Sequence, residues 1–136
     1  MSGFGLGALT HDELRHFTGD LERYRHQFNR RVIYTPGVQH LAERGGAYWL
    51  IDLIASYIGT PAMAQSLAVD YRLGEMQFWR LDVPQDGPAV ASCRADADVE
   101  PVITQTIEFT DFPLDHVEIW AAFDGEHWTL YLPSEH

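Results

Sequence analysis

The stretch VEIWAAFDGEHWTLYL, residues 117–132, decides the fold class of this chain. Its two halves alternate between apolar and polar residues, as half-buried strands do. The Asp124-Gly125 pair between them is a strong signal for a tight hairpin. Three earlier segments have the same strand character: residues 76–83, 89–95 and 99–110. The C-terminal half therefore predicts an antiparallel β-meander of about five strands.

The N-terminal half has the sequence pattern of helices. Apolar residues follow each other at spacings of three and four over residues 14–28, and the run at residues 47–58 is apolar nearly all round. Three helix starts carry capping signals, namely Thr10 with Glu13, Thr35-Pro36 and Thr60-Pro61. Helices followed by strands predict an α+β fold, with the N-terminal helices packed on one face of the meander.

The length of 136 residues and the 46% hydrophobic content predict one globular domain over residues 1–136. The glycine-rich residues 1–10 are expected to form a loose arm. No apolar run reaches the ~18–20 residues of a membrane span, and no secretion signal opens the sequence, so we expect a cytoplasmic protein. The single cysteine, Cys93, excludes an internal disulfide and is expected to lie in the core.

The net charge of −11 is distributed unevenly along the chain. Residues 1–72 are balanced, whereas residues 73–136 contain thirteen acidic residues and only two basic ones, Arg80 and Arg94. A surface of this kind repels nucleic acid and attracts basic partners. The simpler alternative is that the charge only keeps the protein soluble.

Several segments resemble an uncharacterised family of small bacterial, phage and plasmid proteins. They are Tyr24-Arg25-His26, YTPGV (34–38), GGAYWLIDLIAS (45–56), QFWRL (77–81), QTIEFTDFPLD (105–115) and LPSEH (132–136). The resemblance covers most of the chain from about Phe17 onward. It implies a mobile-element setting, in which small acidic proteins often inhibit host defences, but it implies no chemistry.

Asp52 is the carboxylate that the sequence singles out, because it interrupts the apolar helix. Tyr48 lies four residues earlier on the same helical face. A buried carboxylate needs a partner, and several arginines between residues 23 and 31 are available. Two interpretations stay open: Asp52 is structural, or Asp52, Tyr48 and His26 form a small catalytic cleft in which the carboxyl is a general acid or base.

Common enzyme signatures are missing from the sequence. It contains no phosphate-binding loop, no dinucleotide-binding glycine pattern and no nucleophile elbow. His11 and His16 are five residues apart, whereas two zinc-binding histidines on one helical face are four apart. The sequence therefore predicts no metal site and no cofactor.

The function that the sequence favours is that of a non-catalytic acidic binding protein. The resemblance extends this to an inhibitor of a nucleic-acid-binding host-defence effector, either anti-CRISPR-like or a nucleic-acid mimic. Its partner would be a basic protein surface, with no direct binding to nucleic acid or membrane. The alternatives are a homo-oligomeric accessory protein and a small enzyme built around Asp52. The candidate binding residues are Asp96, Asp98, Glu100, Glu108, Asp111, Asp115, Glu118, Trp120 and Glu126.

Overall fold

A computed structural model describes residues 8–19 and 21–136. The helices are α1 (His11–Arg15), α2 (Pro36–Gly45), α3 (Tyr48–Tyr57) and α4 (Pro61–Val69), with short 3-10 turns at Tyr71–Gly74 and Pro133–Glu135. The strands are β1 (Tyr24–Arg25), β2 (Val32–Tyr34), β3 (Met76–Asp82), β4 (Ala89–Arg94), β5 (Ile103–Ile107), β6 (His116–Phe123) and β7 (Trp128–Tyr131). The α+β prediction is confirmed. No helix in the described part is long and apolar enough to cross a membrane.

The sheet differs from the predicted five-stranded antiparallel meander. It has seven strands in the order β1-β2-β7-β6-β3-β4-β5, and β2 runs parallel to β7. The strands β1 and β2, of two and three residues, are too short to show an alternating pattern in the sequence. The strand β6 pairs with β3 rather than with β5, which precedes it in the chain. The N-terminal half of the chain therefore contributes two short strands to the sheet, at its β7 side.

Residues 108–115 carry the chain from β5 past β4 and β3 to β6. Phe112 and Leu114 are buried in the core. The ring of Phe112 lies where a side chain on Gly45 would stand, 2.7 Å from the ideal Cβ position. The Val83 amide donates to the Asp115 carbonyl at 2.8 Å and fixes the end of the crossing. This segment is thus a crossover whose apolar side chains are buried in the core beside the end of α2.

One face of the sheet packs on the helices. Along β3, burial alternates strictly, and Gln77, Trp79 and Leu81 are the buried residues. The Trp79 ring lies 5.6 Å from the ring of Tyr57 on α3. The Trp79 indole N–H donates to Gln77 Oε1 at 2.9 Å, so the buried amide is paired within the core. The opposite face of β3 is only partly covered.

The first helix is much shorter than the apolar spacing of residues 14–28 predicts. Its capping box is present, because the Glu13 amide donates to Thr10 Oγ1 and the Thr10 amide donates to the Glu13 carboxylate. The helix nevertheless ends at Arg15, and Gly19 adopts a φ of +111°, which only glycine takes without strain. The chain beyond it is extended and pairs as β1. Tertiary pairing overrides the local helical pattern.

The start of the chain joins the fold by residue 9. Residues 1–7 of the predicted loose arm lie outside the described residues. Leu9 is only 2% exposed and belongs to the hydrophobic core. The segment that leads into α1 is therefore packed rather than loose from this residue onward.

A carboxylate clasp fastens the end of the chain to the first turn of α2. Glu135 Oε1 accepts hydrogen bonds from the Thr35 hydroxyl at 2.7 Å and from the Leu132 amide at 2.9 Å. The carboxyl group lies directly on Gly37, where an ideal Cβ would stand 2.6 Å from Oε1. Glycine is required here by close approach rather than by backbone conformation. The clasp joins two of the segments that carry the resemblance, YTPGV and LPSEH.

Candidate functional site

Asp52 does not have the surroundings that its place in an apolar helix predicts. Its side chain is 54% exposed, because it lies on the solvent side of α3 while Leu50, Ile51 and Leu53 face the core. Its partner is a histidine rather than an arginine: the Asp52 carboxylate is 2.7 Å from His26 Nε2. The prediction of a buried carboxylate paired with arginine is therefore wrong.

Both ring nitrogens of His26 are occupied. The backbone amides of Phe28 and Asn29 point at Nδ1 from 3.2 and 3.0 Å, so Nδ1 is the acceptor and Nε2 carries the proton that Asp52 accepts. A histidine that acts as a general base needs one nitrogen directed at the substrate while a carboxylate holds the other. His26 has no nitrogen left for that role.

The consequence of this pairing is structural. Asn29, held by its amide on His26, donates its side-chain amide to the carbonyls of Ala55 and Ile58 at 3.1 and 3.2 Å. These carbonyls belong to the end of α3, where helical partners are missing. The His26–Asp52 pair therefore anchors the loop that caps α3, which supports the structural interpretation of Asp52.

Tyr48 lies away from this pair. It is 42% exposed, and its hydroxyl donates to the Glu43 carboxylate at 2.8 Å. Partial burial of the ring, together with that hydrogen bond, raises the pKa of Tyr48 to about 12. The three predicted catalytic candidates are thus not brought together as an acid–base site.

Cys93 is an inert core residue. It is fully buried on β4, and burial raises the pKa of its thiol to about 12. A nucleophilic cysteine requires the opposite conditions, a lowered pKa and access to solvent. The expectation of a buried core cysteine is confirmed.

The predicted acidic binding residues occupy two ends of the sheet. Because β3 is antiparallel to both β4 and β6, the C-terminal ends of β4 and β6 lie together at one end. That end carries Asp96, Asp98, Glu100 and Glu126, and the opposite end carries Glu108, Asp111 and Asp115. All are exposed except Asp96, which is partly buried and accepts from Arg72 at 3.3 Å. The structure therefore shows two acidic ends rather than one acidic patch.

Between these ends, the sheet face opposite the helices carries a group of rings, which we call the aromatic face: Phe78, Trp120, Tyr131 and His136. The Trp120 ring is the centre of the group, with ring centroids 5.1 Å from Phe78, 6.1 Å from Tyr131 and 5.4 Å from His136. All three contacts are edge-to-face, the geometry that aromatic quadrupoles favour. The Trp120 indole N–H donates to Glu118 at 3.3 Å. The three ring contacts hold Trp120 in place. Because Trp120 is partly exposed, a partner protein can still contact it.

The structure also contains a cluster of two histidines and one carboxylate that was not predicted from the sequence. His11, at the start of α1, and His116, at the start of β6, both contact the carboxylate of Asp115. His11 and Asp115 are 104 residues apart, and only the dipeptide Asp115-His116 was visible as a local signal. The spacing of histidines along one helix does not report on this arrangement, because His11 and Asp115 come from distant segments.

No curated protein and no solved structure matches the chain. Residues 8–136 match the Family of unknown function (DUF6876), which confirms the resemblance to an uncharacterised family. The phage and plasmid setting and the individual signature motifs stay predictions. Because the match spans nearly the whole chain, this protein belongs to the DUF6876 family.

Proposed function

We propose that this protein is a non-catalytic binding protein whose aromatic face docks on a basic surface of another protein. The observation that carries the proposal is the position of Trp120, a partly exposed tryptophan held by three neighbouring rings on the sheet face opposite the helices. Tryptophans in such fixed, partly covered positions are the residues that most often dominate binding energy at protein interfaces. A rigid sheet also holds the cluster in place before the partner arrives, which reduces the entropy lost on binding.

Charge supports a basic partner. The charges beside the aromatic face nearly cancel, because Arg80 contacts Asp82 at 2.8 Å and Glu118 at 3.8 Å. The acidic excess of residues 73–136 lies around it, mostly at the two ends of the sheet. A partner rich in arginine would match both features, since guanidinium groups pair with carboxylates and stack on tryptophan faces. Surfaces of that composition are typical of proteins that bind nucleic acid.

The proposed consequence is inhibition by occupation. A bound acidic protein covers the arginines and lysines with which an effector would otherwise hold nucleic-acid phosphates. The protein would then act as a nucleic-acid mimic in its charge, although its central contact is aromatic. That the partner is a host-defence effector is proposed from the acidic charge and from the family resemblance. The proposal of a basic protein partner does not depend on it.

The experiment compares three immobilised baits in lysate of the source organism: wild type, Trp120→Ala and Phe28→Ala. Phe28 is 79% exposed in the loop beside α3, so its loss controls for the removal of an exposed aromatic ring elsewhere. We expect quantitative mass spectrometry to find a basic protein retained by wild type and Phe28→Ala, lost by Trp120→Ala and released by high salt. Retention of the same proteins by all three baits would refute the proposal.

A second candidate function, a homo-oligomeric accessory protein, is favoured by one observation. The strand β5 is the last in the sheet order, and its residues Thr104, Gln105 and Thr106 are exposed. A free strand edge can pair with the same edge of a second copy. Light scattering that shows a dimer in wild type, and a monomer in a Thr106→Pro variant, would support this candidate. A monomer at all concentrations would remove it.

A further inference from the structure

Three potential metal-ligand atoms converge where α1 meets the start of β6. His11 Nε2 lies 3.1 Å and His116 Nδ1 lies 3.0 Å from the same oxygen, Asp115 Oδ1. All the ligand atoms lie within 4.8 Å of one another, and the two imidazole rings are 4.7 Å apart with a tilt of 33°. None of these three residues belongs to the aromatic face, although Asp115 also lies in one of the two acidic ends of the sheet.

The backbone holds all three residues in place. His11 is the first residue of α1, whose capping box uses Glu13, and Glu13 is in turn bound by His40 and Arg44 of α2 at 2.8 and 2.6 Å. Asp115 is fixed by its carbonyl, which accepts from the Val83 amide. His116 is paired across the sheet with Asp82 of β3. The side chains can therefore adjust by small rotations while their origins stay fixed.

The distances suit a small transition-metal ion. An ion at ~2.0–2.2 Å from imidazole nitrogen and carboxylate oxygen in tetrahedral geometry separates its ligand atoms by roughly 3.3 Å. The two nitrogen–oxygen separations of 3.0 and 3.1 Å need a small opening to admit such an ion. The two imidazole nitrogens lie within 4.8 Å of each other, so rotation of the histidine side chains must also set their separation to about the same value. Two imidazoles and one carboxylate favour zinc and related late first-row metals over magnesium and calcium, which prefer oxygen ligands.

The cluster is also accessible to an ion from solvent. The side chains of His11 and His116 are 38% and 39% exposed, so an ion can reach them without opening the core. Beside the cluster lies a cavity of about 140 Å³, lined in part by Leu14, Val117 and Pro133.

We propose that His11, Asp115 and His116 form a binding site for one zinc-class divalent ion, which fastens α1 to the start of β6. The three protein ligands leave at least one coordination position open toward solvent and the adjoining cavity. The ion links residues that are more than one hundred positions apart in the chain, so its binding stabilises the folded protein by mass action.

The test is zinc binding to the tag-free full chain, measured by calorimetry at pH 7.5. We expect one ion per chain in wild type and at least a tenfold loss of affinity in His11→Ala, in His116→Ala and in Asp115→Asn. The control is His16→Ala, since His16 is an exposed histidine just after α1 and lies outside the cluster. Unchanged zinc affinity in the three cluster variants, or no zinc binding by wild type, would overturn the proposal.

Two further readouts separate ligation from general effects on folding. Nitrogen-15 NMR of the imidazoles should show zinc at His11 Nε2 and His116 Nδ1, the two nitrogens that face Asp115. The melting temperature in the presence of EDTA reports whether each variant folds, and added zinc should raise it in wild type and His16→Ala only. Magnesium should have no effect on any of the proteins. Zinc signals on other histidine nitrogens would contradict the proposed site.

Discussion

Replacing Gly37 by alanine should destabilise the protein, although alanine is normally the better helix residue. The three atoms nearest to an ideal Cβ on Gly37 all belong to the Glu135 carboxyl group, at 2.6, 2.8 and 2.9 Å. Contacts this short force the carboxyl group off the first turn of α2. This displacement breaks one or both of the hydrogen bonds that the Glu135 carboxylate accepts from the Thr35 hydroxyl and the Leu132 amide.

The magnitude follows from two opposing effects. Each hydrogen bond to a charged group contributes about 1.5–3 kcal/mol to stability. The change from glycine to alanine inside a helix returns roughly 0.5–1 kcal/mol. If one of the two bonds is lost, we expect Gly37→Ala to lower the free energy of unfolding by about 1–2 kcal/mol. Loss of both would lower it by about 2–5 kcal/mol, because the gain from alanine in the helix is counted only once.

The decisive comparison places the same substitution in a Glu135→Ala background. There the three closest atoms are absent, so Gly37→Ala should become stabilising by roughly 0.5–1 kcal/mol. Urea unfolding followed by tryptophan fluorescence measures all four proteins, with midpoints compared at a common slope. Equal effects of Gly37→Ala in both backgrounds would refute the clasp as the reason for glycine at this position.

Three other predictions follow from individual contacts. Asp52→Ala should lower the free energy of unfolding, measured in urea, by about 1 kcal/mol. The control Ser56→Ala, on the same face of α3, should have a smaller effect. An unchanged urea midpoint for Asp52→Ala would contradict the structural role of Asp52. The Cys93 thiol, whose pKa burial raises to about 12, should resist Ellman's reagent at pH 8 until the protein unfolds, and rapid reaction of the native protein would show that the site is open. The hydrogen bond from His40 holds the pKa of Glu13 below its usual value of 4.5. The ionised Glu13 therefore stabilises the fold above that pH, and this contribution is lost as the pH falls through the lowered pKa. The difference in unfolding free energy between wild type and Glu13→Gln should close on acidification, and a difference that widened would contradict the prediction.

Local signals predicted much of the fold. The capping residues Thr10, Thr35 and Thr60 start helices in the structure, and Gly46 ends α2 in the left-handed conformation. The C-terminal strands occur close to the predicted positions, because alternation over five or more residues reports burial on one face. The neighbours of each strand were not predictable in this way. That β6 lies beside β3, and that β2 joins β7 in parallel, depends on contacts between distant segments.

The candidate sites show the same division. Along β6 the alternation of the sequence puts Trp120 on the opposite side from Val117 and Ile119, and the structure places it on the face away from the helices. For Asp52 the sequence indicated the helix but not which side faces solvent, so burial was overestimated. The meeting of His11 with Asp115 had no local signal at all, since α1 and β6 approach each other only in the folded chain.

The most direct test of the binding proposal is the dissociation constant of the captured partner, measured by calorimetry with wild type, Trp120→Ala and Phe28→Ala. Loss of a central tryptophan at an interface typically costs at least about 2 kcal/mol, which is roughly a thirtyfold change in affinity. We expect that weakening for Trp120→Ala, no change for Phe28→Ala, and weaker wild-type binding as salt rises. Equal affinities for the three proteins would contradict the account.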